Sequence, residues 1–243
     1  MYDFSVTVKK LTDEELMRKA CEMTFNGTSH QSLASIYKSE HSPARTQLFW
    51  IELKHIPLFI STHLLRHHVG SVPFQLSCRD DRNGGNISFP DRINKVKERI
   101  NQAQEYSQIG DWMTSNAQNE VAIAELDWLL DNADRQTPVN LGLLVNAQSL
   151  IDMAKLRLCN QAHENTIKVF KAIKKEIANC DPELASMMVP KCVYRGGLCG
   201  EPRCCGYNST KKFQIELRQY ADNFTKKQRG NMKFDESKSS SEA

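Results

Sequence analysis

The chain has 243 residues, with 32 lysines and arginines against 29 aspartates and glutamates and a formal net charge of +3. Charged residues make up 25% and hydrophobic residues 40%, a globular composition that excludes a disordered, collagenous or low-complexity chain. The small basic excess argues against a protein that binds nucleic acid through bulk phosphate attraction. The longest apolar run, residues 56–65, is half of the ~20 residues that a membrane-spanning helix needs.

The N-terminal third alternates between strand and helix patterns. Residues 2–8 carry apolar side chains with a period of two and predict a short strand. Thr12 and Glu15 have the spacing of a capping box, which predicts a helix that runs to about residue 25. A second helix is predicted over residues 32–38, and a buried strand rich in aromatic and β-branched side chains over residues 46–54.

The middle of the chain is read as mostly helical. Pro57 suits the first turn of a helix that runs to about residue 68. Residues 69–90 predict an irregular stretch that ends in a strand-like segment over residues 87–89. From residue 91 to residue 179 the apolar periodicity is helical, interrupted at Pro138.

Together these patterns predict an α+β fold, a single mostly helical domain with a small antiparallel sheet. The main domain is expected over residues 1–190, followed by a cysteine- and glycine-rich loop over 191–209, a basic segment over 210–234 and a disordered tail over 235–243. The basic segment is interpreted as a solvated helix face with an aromatic packing stripe formed by Phe213, Tyr220 and Phe224. The N-terminus lacks the apolar core of a secretory signal, so a cytoplasmic location is expected.

The densest cluster of chemically active side chains lies within residues 63–79. On a helix, His63, Arg66 and His67 at i, i+3 and i+4 share one face. Arginines donate paired hydrogen bonds to phosphate and serine hydroxyls add further ones, so the cluster indicates an anion-recognition site. The alternative is a solvated basic helix face. A metal site is not predicted here, because Leu64 follows His63 where a zincin helix requires glutamate.

This cluster resembles the signature of the flavin-dependent thymidylate synthases (ThyX), which reads Arg-His-Arg, seven residues, Ser and shortly afterwards Arg. Here Arg66-His67-His68 is followed by eight residues, then Ser77 and Arg79. His68 replaces the third signature residue, and Gln75 stands where the family has glutamate.

Two flanking segments extend the resemblance. Glu40-His41-Ser42-Pro43 resembles a histidine-containing segment upstream of the signature, and Asn146-Ala147-Gln148-Ser149-Leu150 resembles the family's Asn-Ala-Arg-Ser-Leu. Leu156, Arg157 and Ala162 follow at the family's spacing. The resemblance runs in order from about residue 11 to residue 190.

The resemblance implies a homotetramer with active sites at subunit interfaces. Each site would bind FAD, reduce it with NADPH, and transfer a methylene group from methylenetetrahydrofolate to C5 of dUMP to give dTMP. It implies no cysteine nucleophile, so Cys78 beside the motif is not read as catalytic. A membrane partner is not expected either, because no apolar run is long enough to span a bilayer.

Roles carry over only onto matching positions. Arg157 and Ser77 are implied as catalytic, with Arg157 stabilising charge on the activated uracil. The implied substrate contacts are His63, Arg66, Gln75, Ser77, Arg79 and Arg157, with Arg135 as a further candidate. The implied FAD contacts are His41, Arg66, His67, His68, Val69, Asn146, Asp152 and Leu156.

Two substitutions leave alternatives open. His68 removes a permanent bidentate cation from the implied flavin site, and Gln75 removes a negative charge near the nucleotide. The alternatives are a flavin-dependent C5-hydroxymethylase of dUMP or dCMP, and a non-catalytic nucleotide-binding homologue.

A separate cysteine cluster lies near the C-terminus. Cys192, Cys199, Cys204 and Cys205 are four of the chain's eight cysteines. Their number suits a tetrahedral zinc site, but they contain no C-x-x-C pair. The alternative is a reduced, glycine-rich loop with incidental thiols.

Overall fold

The computed structural model describes residues 4–25, 27–76, 89–132 and 137–228. The strands are β1 (Ser5–Lys10), β2 (Leu48–Pro57), β3 (Ser71–Gln75) and β4 (Pro138–Asn146). The helices are α1 (Glu14–Glu22), α2 (Leu33–Ser39), α3 (Leu58–Leu65), α4 (Phe89–Gln108), α5 (Trp112–Asn132), α6 (Ala147–Arg157), α7 (Glu164–Cys180), α8 (Pro182–Met187), α9 (Lys191–Tyr194) and α10 (Lys211–Gln228). Short 3₁₀ turns cover Ser42–Thr46 and Tyr207–Ser209.

The strands form one four-stranded sheet in the order β1-β2-β4-β3. In β2 the buried side chains alternate along the strand at Phe49, Ile51 and Leu53, as expected when one face of a sheet packs on the core. In β4 the same alternation buries Val139, Leu141, Leu143 and Val145. The predicted α+β class, mostly helical with a small antiparallel sheet, is confirmed.

The chain forms two compact units. Of the described residues, the first contains 52–66, 73–76, 89–132 and 137–142, and the second contains 6–25, 27–51, 67–72 and 143–228. In the first unit α4 and α5 form a helical hairpin around Val96, Ala122 and Leu129. The guanidinium of Arg92 lies 3.7 Å from the ring centre of Trp128, and donates to Glu125 at 2.6 Å.

The second unit is tied together by a buried carboxylate. Asp181 accepts hydrogen bonds from the ammonium of Lys10 at 2.6 Å and from the hydroxyl of Tyr37 at 2.9 Å, and it caps α8 by accepting from the Leu184 amide at 3.0 Å. Burial, followed by the charge of Asp181, raises the pKa of Tyr37. One carboxylate thereby links β1, α2 and α8.

Several local predictions differ from the structure. The N-cap of α1 is Asp13, whose side chain accepts from the Leu16 amide. The predicted capping box at Thr12 is wrong, because the Thr12 hydroxyl accepts from the Leu48 amide in β2 instead. The helix after Pro57 ends at Leu65, three residues earlier than predicted.

The two missed strands were missed for different reasons. β3 lies in the stretch predicted to be irregular, and β4 interrupts the stretch predicted to be helical. β3 is short, follows Gly70 and contains Pro73. β4 is a nearly continuous apolar run, and such runs do not distinguish a buried strand from a buried helix.

The C-terminal helix behaves as predicted. Phe213 is buried, and the rings of Tyr220 and Phe224 lie edge to face with centres 5.2 Å apart. The predicted aromatic packing stripe on α10 is therefore confirmed. The predicted tail over residues 235–243 lies outside the described residues, and the predicted domain boundaries stay predictions.

Candidate functional site

The candidate site in the second unit is built where β4 passes into α6. Asn146 ends the strand and caps the helix, with its side chain accepting from the Ser149 amide at 2.9 Å. The segment 67–72 lies against this cap: the Asn146 amide donates to the Gly70 carbonyl at 3.0 Å, and the Ser149 hydroxyl donates to the Val69 carbonyl at 2.5 Å. The signature segment and the start of α6 are therefore held together.

This close approach requires glycine at position 70. Gly70 has φ of +72°, and a Cβ atom there would collide with the side chains of Asn146 and Ser149. Any other residue would push the segment away from the helix cap. Sequence reasoning missed this position, although a glycine two residues after the Arg-His-His signature was a usable signal.

At the other end of α6, Arg157 is joined to the signature. The Nε–H of Arg157 donates to Nε2 of His67 at 2.9 Å. Burial, followed by the charge of Arg157, lowers the pKa of His67 to about 4, against the opposing effect of Asp152. His67 is therefore neutral near pH 7 and accepts through Nε2, which leaves its proton on Nδ1. The pair fixes the orientation of a permanent cation.

Between these two ends, one face of α6 carries the other predicted cofactor contacts. These are Asp152 and Leu156, which lie at i and i+4 and so share that face with Ser149, a residue that was not predicted. Val69 is 77% exposed and Leu156 is 43% exposed, which leaves apolar surface uncovered on this unit. His68 is exposed as well.

A charged network next to this face was not predicted. Glu40 accepts from the side-chain amide of Gln148 at 2.6 Å and from the ammonium of Lys155 at 3.0 Å. Partial burial opposes ionisation of Glu40, but hydrogen bonds from Gln148, Tyr194 and Lys155 outweigh it and lower its pKa. Lys155 also donates to Asp152 at 3.0 Å. The only available sequence signal was the i, i+3 spacing of Asp152 and Lys155.

Two further observations concern this network. The side-chain oxygen of Gln148, Oε1, is buried and has no hydrogen-bond partner among the described residues. His41, the predicted cofactor contact that follows Glu40, is exposed at the start of a 3₁₀ turn.

The first unit holds the other substrate candidates. Gln75 on β3 accepts from the buried Ser61 hydroxyl at 3.0 Å, and His63 packs edge to face on Phe59 with ring centres 5.7 Å apart. Arg66 is the exposed C-cap of α3. Because α3 ends at Leu65, the predicted shared helix face of His63, Arg66 and His67 is wrong. Ser77, Arg79 and Arg135 lie outside the described residues.

The cysteine cluster is assembled from distant positions. Cys192, Cys199, Cys204 and Cys205 are free thiols and line a cavity of about 20 Å³ together with Cys159 from the end of α6. Burial raises the pKa of the Cys159 and Cys192 thiols. In the described ranges, no group of three or more His, Cys, Asp or Glu side chains is arranged to hold a metal ion. A zinc ion at these thiols stays a prediction.

No helix among the described residues combines the length and the apolar character that crossing a membrane requires.

The fold and this geometry define an α+β protein in which helix α6 is packed at its start against the signature segment and presents an oriented arginine at its end, beside exposed apolar side chains. Residues 5–183 match the family model described as thymidylate synthase complementing protein. The chain therefore belongs to this family, that of the flavin-dependent thymidylate synthases, and the resemblance drawn from its motifs is confirmed. None of the curated proteins compared with the chain matches it. Membership supports a function of the thymidylate synthase type, while the cysteine cluster after Pro190 and helix α10 lie beyond the matched residues.

Proposed function

We propose that the protein is a flavin-dependent thymidylate synthase that methylates dUMP at C5, with methylenetetrahydrofolate as the carbon donor, FAD as the cofactor and NADPH as the reductant. The observation that carries the proposal is the hydrogen bond from Arg157 to His67, which joins two motifs of the family in one unit. The family match supports the reaction class, and the roles below are inferred for this chain's residues.

The residues of the second unit fit a flavin. Val69 and Leu156 offer exposed apolar surface for a ring, and the partnerless Oε1 of Gln148 offers a buried acceptor to a donor group. His41 and His68, both exposed, add polar contacts. When bound, the flavin supplies the hydride that completes the methyl group. The protein's task is to hold and orient the cofactor.

Arg157 acts on the pyrimidine. Attack by C5 on the one-carbon donor shifts charge within the uracil ring, and a guanidinium placed against its polar edge stabilises that distribution. His67 occupies Nε and thereby fixes how the remaining N–H groups are directed. Because His67 is neutral, the pair carries a single positive charge.

The phosphate and sugar of the nucleotide are assigned to His63, Arg66 and Gln75, with Ser77, Arg79 and Arg135 as proposed partners. Arg66 supplies an exposed guanidinium, and the buried Ser61 holds Gln75 in place. The proposed assembly is a homotetramer with active sites at subunit interfaces.

A second candidate reaction is C5-hydroxymethylation of dUMP or dCMP. It is favoured by Gln75, a neutral side chain that already accepts from Ser61 where the family has a carboxylate. A glutamine amide can donate as well as accept, which changes the hydrogen-bonding options for the pyrimidine.

The test begins with the visible spectrum of the purified protein supplied with FAD. We expect an oxidised-flavin spectrum that NADPH bleaches, and, once dUMP and methylenetetrahydrofolate are added, a product of the mass of dTMP. Arg157→Ala should abolish turnover while flavin stays bound, whereas Arg18→Ala, which removes an exposed arginine of α1, should leave turnover unchanged. A hydroxymethyl product would select the second candidate, and normal turnover by Arg157→Ala would refute the assignment.

A further inference from the structure

Besides the small cavity at the cysteine cluster, the second unit has a larger cavity that is lined by lysines. It has a volume of about 540 Å³ and lies between α7 and the start of α10. Lys171 and Lys174 reach it from α7, one turn apart, and Lys212 reaches it from the first turn of α10. Cavities of about 300–1,000 Å³ hold small organic ligands. α7 lies within the residues matched to the family and α10 lies beyond them, and none of the three lysines is among the residues proposed above for the family's reaction.

Among the described residues that line the cavity, three lysines face one glutamate, so positive charge is in excess. Among the residues that the structure describes, no carboxylate forms an ion pair with Lys171, Lys174 or Lys212. Lys168, one turn before Lys171 on the same helix, is by contrast paired with Glu164 at 2.6 Å. The cavity thus gathers the lysines of this region that have no acidic partner.

The carboxylate of Glu216 also lines the cavity, and it already accepts a hydrogen bond. Glu216 accepts from the Tyr207 hydroxyl at 2.6 Å, and its charge only partly opposes the lowering of the Lys174 pKa that burial causes. A partly buried ammonium without a partner is unfavourable, and a bound anion would relieve it.

The surroundings suit an anionic ligand with an apolar part. Thr210 caps α10 by accepting from the Phe213 amide at 3.2 Å, so the positive end of the helix dipole adds to the lysine charges. Leu158, Pro190 and Ile215 supply apolar lining on other sides. Lysine ammonium groups act as point charges toward phosphate.

We propose that this lysine cavity is a binding site for a small molecule that carries a multivalent phosphate group. The three ammonium groups neutralise the phosphate charges, with Lys174 at the inner position, and the apolar lining contacts the rest of the molecule.

The experiment measures binding of inorganic pyrophosphate to the full chain by calorimetry at low and moderate salt. We expect saturable binding that weakens as salt rises. Lys174→Met, which keeps the length of the side chain, should weaken binding about tenfold or more, as expected when a charge-assisted contact is lost. The matched control Lys168→Met alters the same helix outside the cavity and should bind as the parent does.

Two further arms locate the site and define the ligand. Arg66→Ala removes the exposed arginine proposed for the nucleotide phosphate and should leave pyrophosphate binding unchanged if the lysine cavity is the site. Urea unfolding of Lys174→Met should show an intact fold, so that lost binding reports lost charge. Absence of pyrophosphate binding, binding unaffected by Lys174→Met, or binding of citrate in place of pyrophosphate would each overturn the proposal.

Discussion

Lowering the pH is expected to weaken the folded state through a single histidine, His67. Its pKa is about 4 in the folded chain and 6.5 in an unfolded one, because burial and Arg157 disfavour the imidazolium. Between these values the unfolded state binds more protons than the folded state does. Stability therefore falls as the pH drops from about 6.5 toward 4.

The size of the effect follows from that interval. At about 1.36 kcal/mol per pKa unit, the full difference corresponds to about 3 kcal/mol. His67 is only half-buried, and solvent screening reduces this contribution to about 1 kcal/mol. Two smaller influences oppose each other, since Asp152 raises the pKa of His67 and His68 lowers it.

The assay is urea unfolding at pH 7.5 and pH 5 for the parent and for His67→Gln. Glutamine keeps a hydrogen-bond acceptor for Arg157 but has no proton to gain. We expect His67→Gln to lose about 1 kcal/mol less than the parent over this pH range. His30→Gln makes the same substitution at an exposed position and serves as the matched control. Parallel pH dependence of the parent and His67→Gln would refute the argument.

Two other predictions follow from contacts at the candidate site. Gly70→Ala should destabilise the fold by about 1–3 kcal/mol in urea unfolding, because the added Cβ meets side chains at a positive φ. Gly110→Ala, also at positive φ but in open space, should lose less stability. Equal losses would show that the close approach of Gly70 to Asn146 and Ser149 is unimportant. Lys155→Met should lose about 1 kcal/mol at pH 7 by removing the partner of Glu40. Because the lowered pKa of Glu40 stabilises the fold only while Glu40 is ionised, this loss should shrink as the pH falls through that pKa, and a loss independent of pH would contradict the ion-pair account.

Which features could be predicted from the sequence depends on how far apart along the chain the interacting residues are. The strand over residues 46–54 and the stripe at Phe213 were predictable, because alternation and helical spacing are local patterns. The family was recognisable because its motifs keep their order along the chain. The contact between His67 and Arg157 was not predictable, since it joins residues 90 positions apart.

The site residues that sequence reasoning missed share a different property. Ser61 acts on the predicted site residue Gln75 through a side-chain hydrogen bond, and no motif marks it. Glu40 lies in a segment that resembles the family, but its bond to Gln148 joins residues 108 positions apart. The role of Gly70 depends on what a Cβ would meet in space. Such positions are defined by packing, which the order of residues along the chain does not reveal.

The network around Glu40 helps to decide whether the site can work with glutamine at position 148, where the family has arginine. Gln148 stands where the family has arginine, and this removes a cation from the start of α6. Lys155 lies seven residues further along, on the same helix face, and its ammonium contacts Glu40 at 3.0 Å beside the amide of Gln148. The carboxylate therefore keeps a cationic partner, and Lys155 in turn lies over the ring of Tyr194 at 3.9 Å. The charge lost at one position of the helix is present two turns later, so the substitution at Gln148 is no argument against a working site.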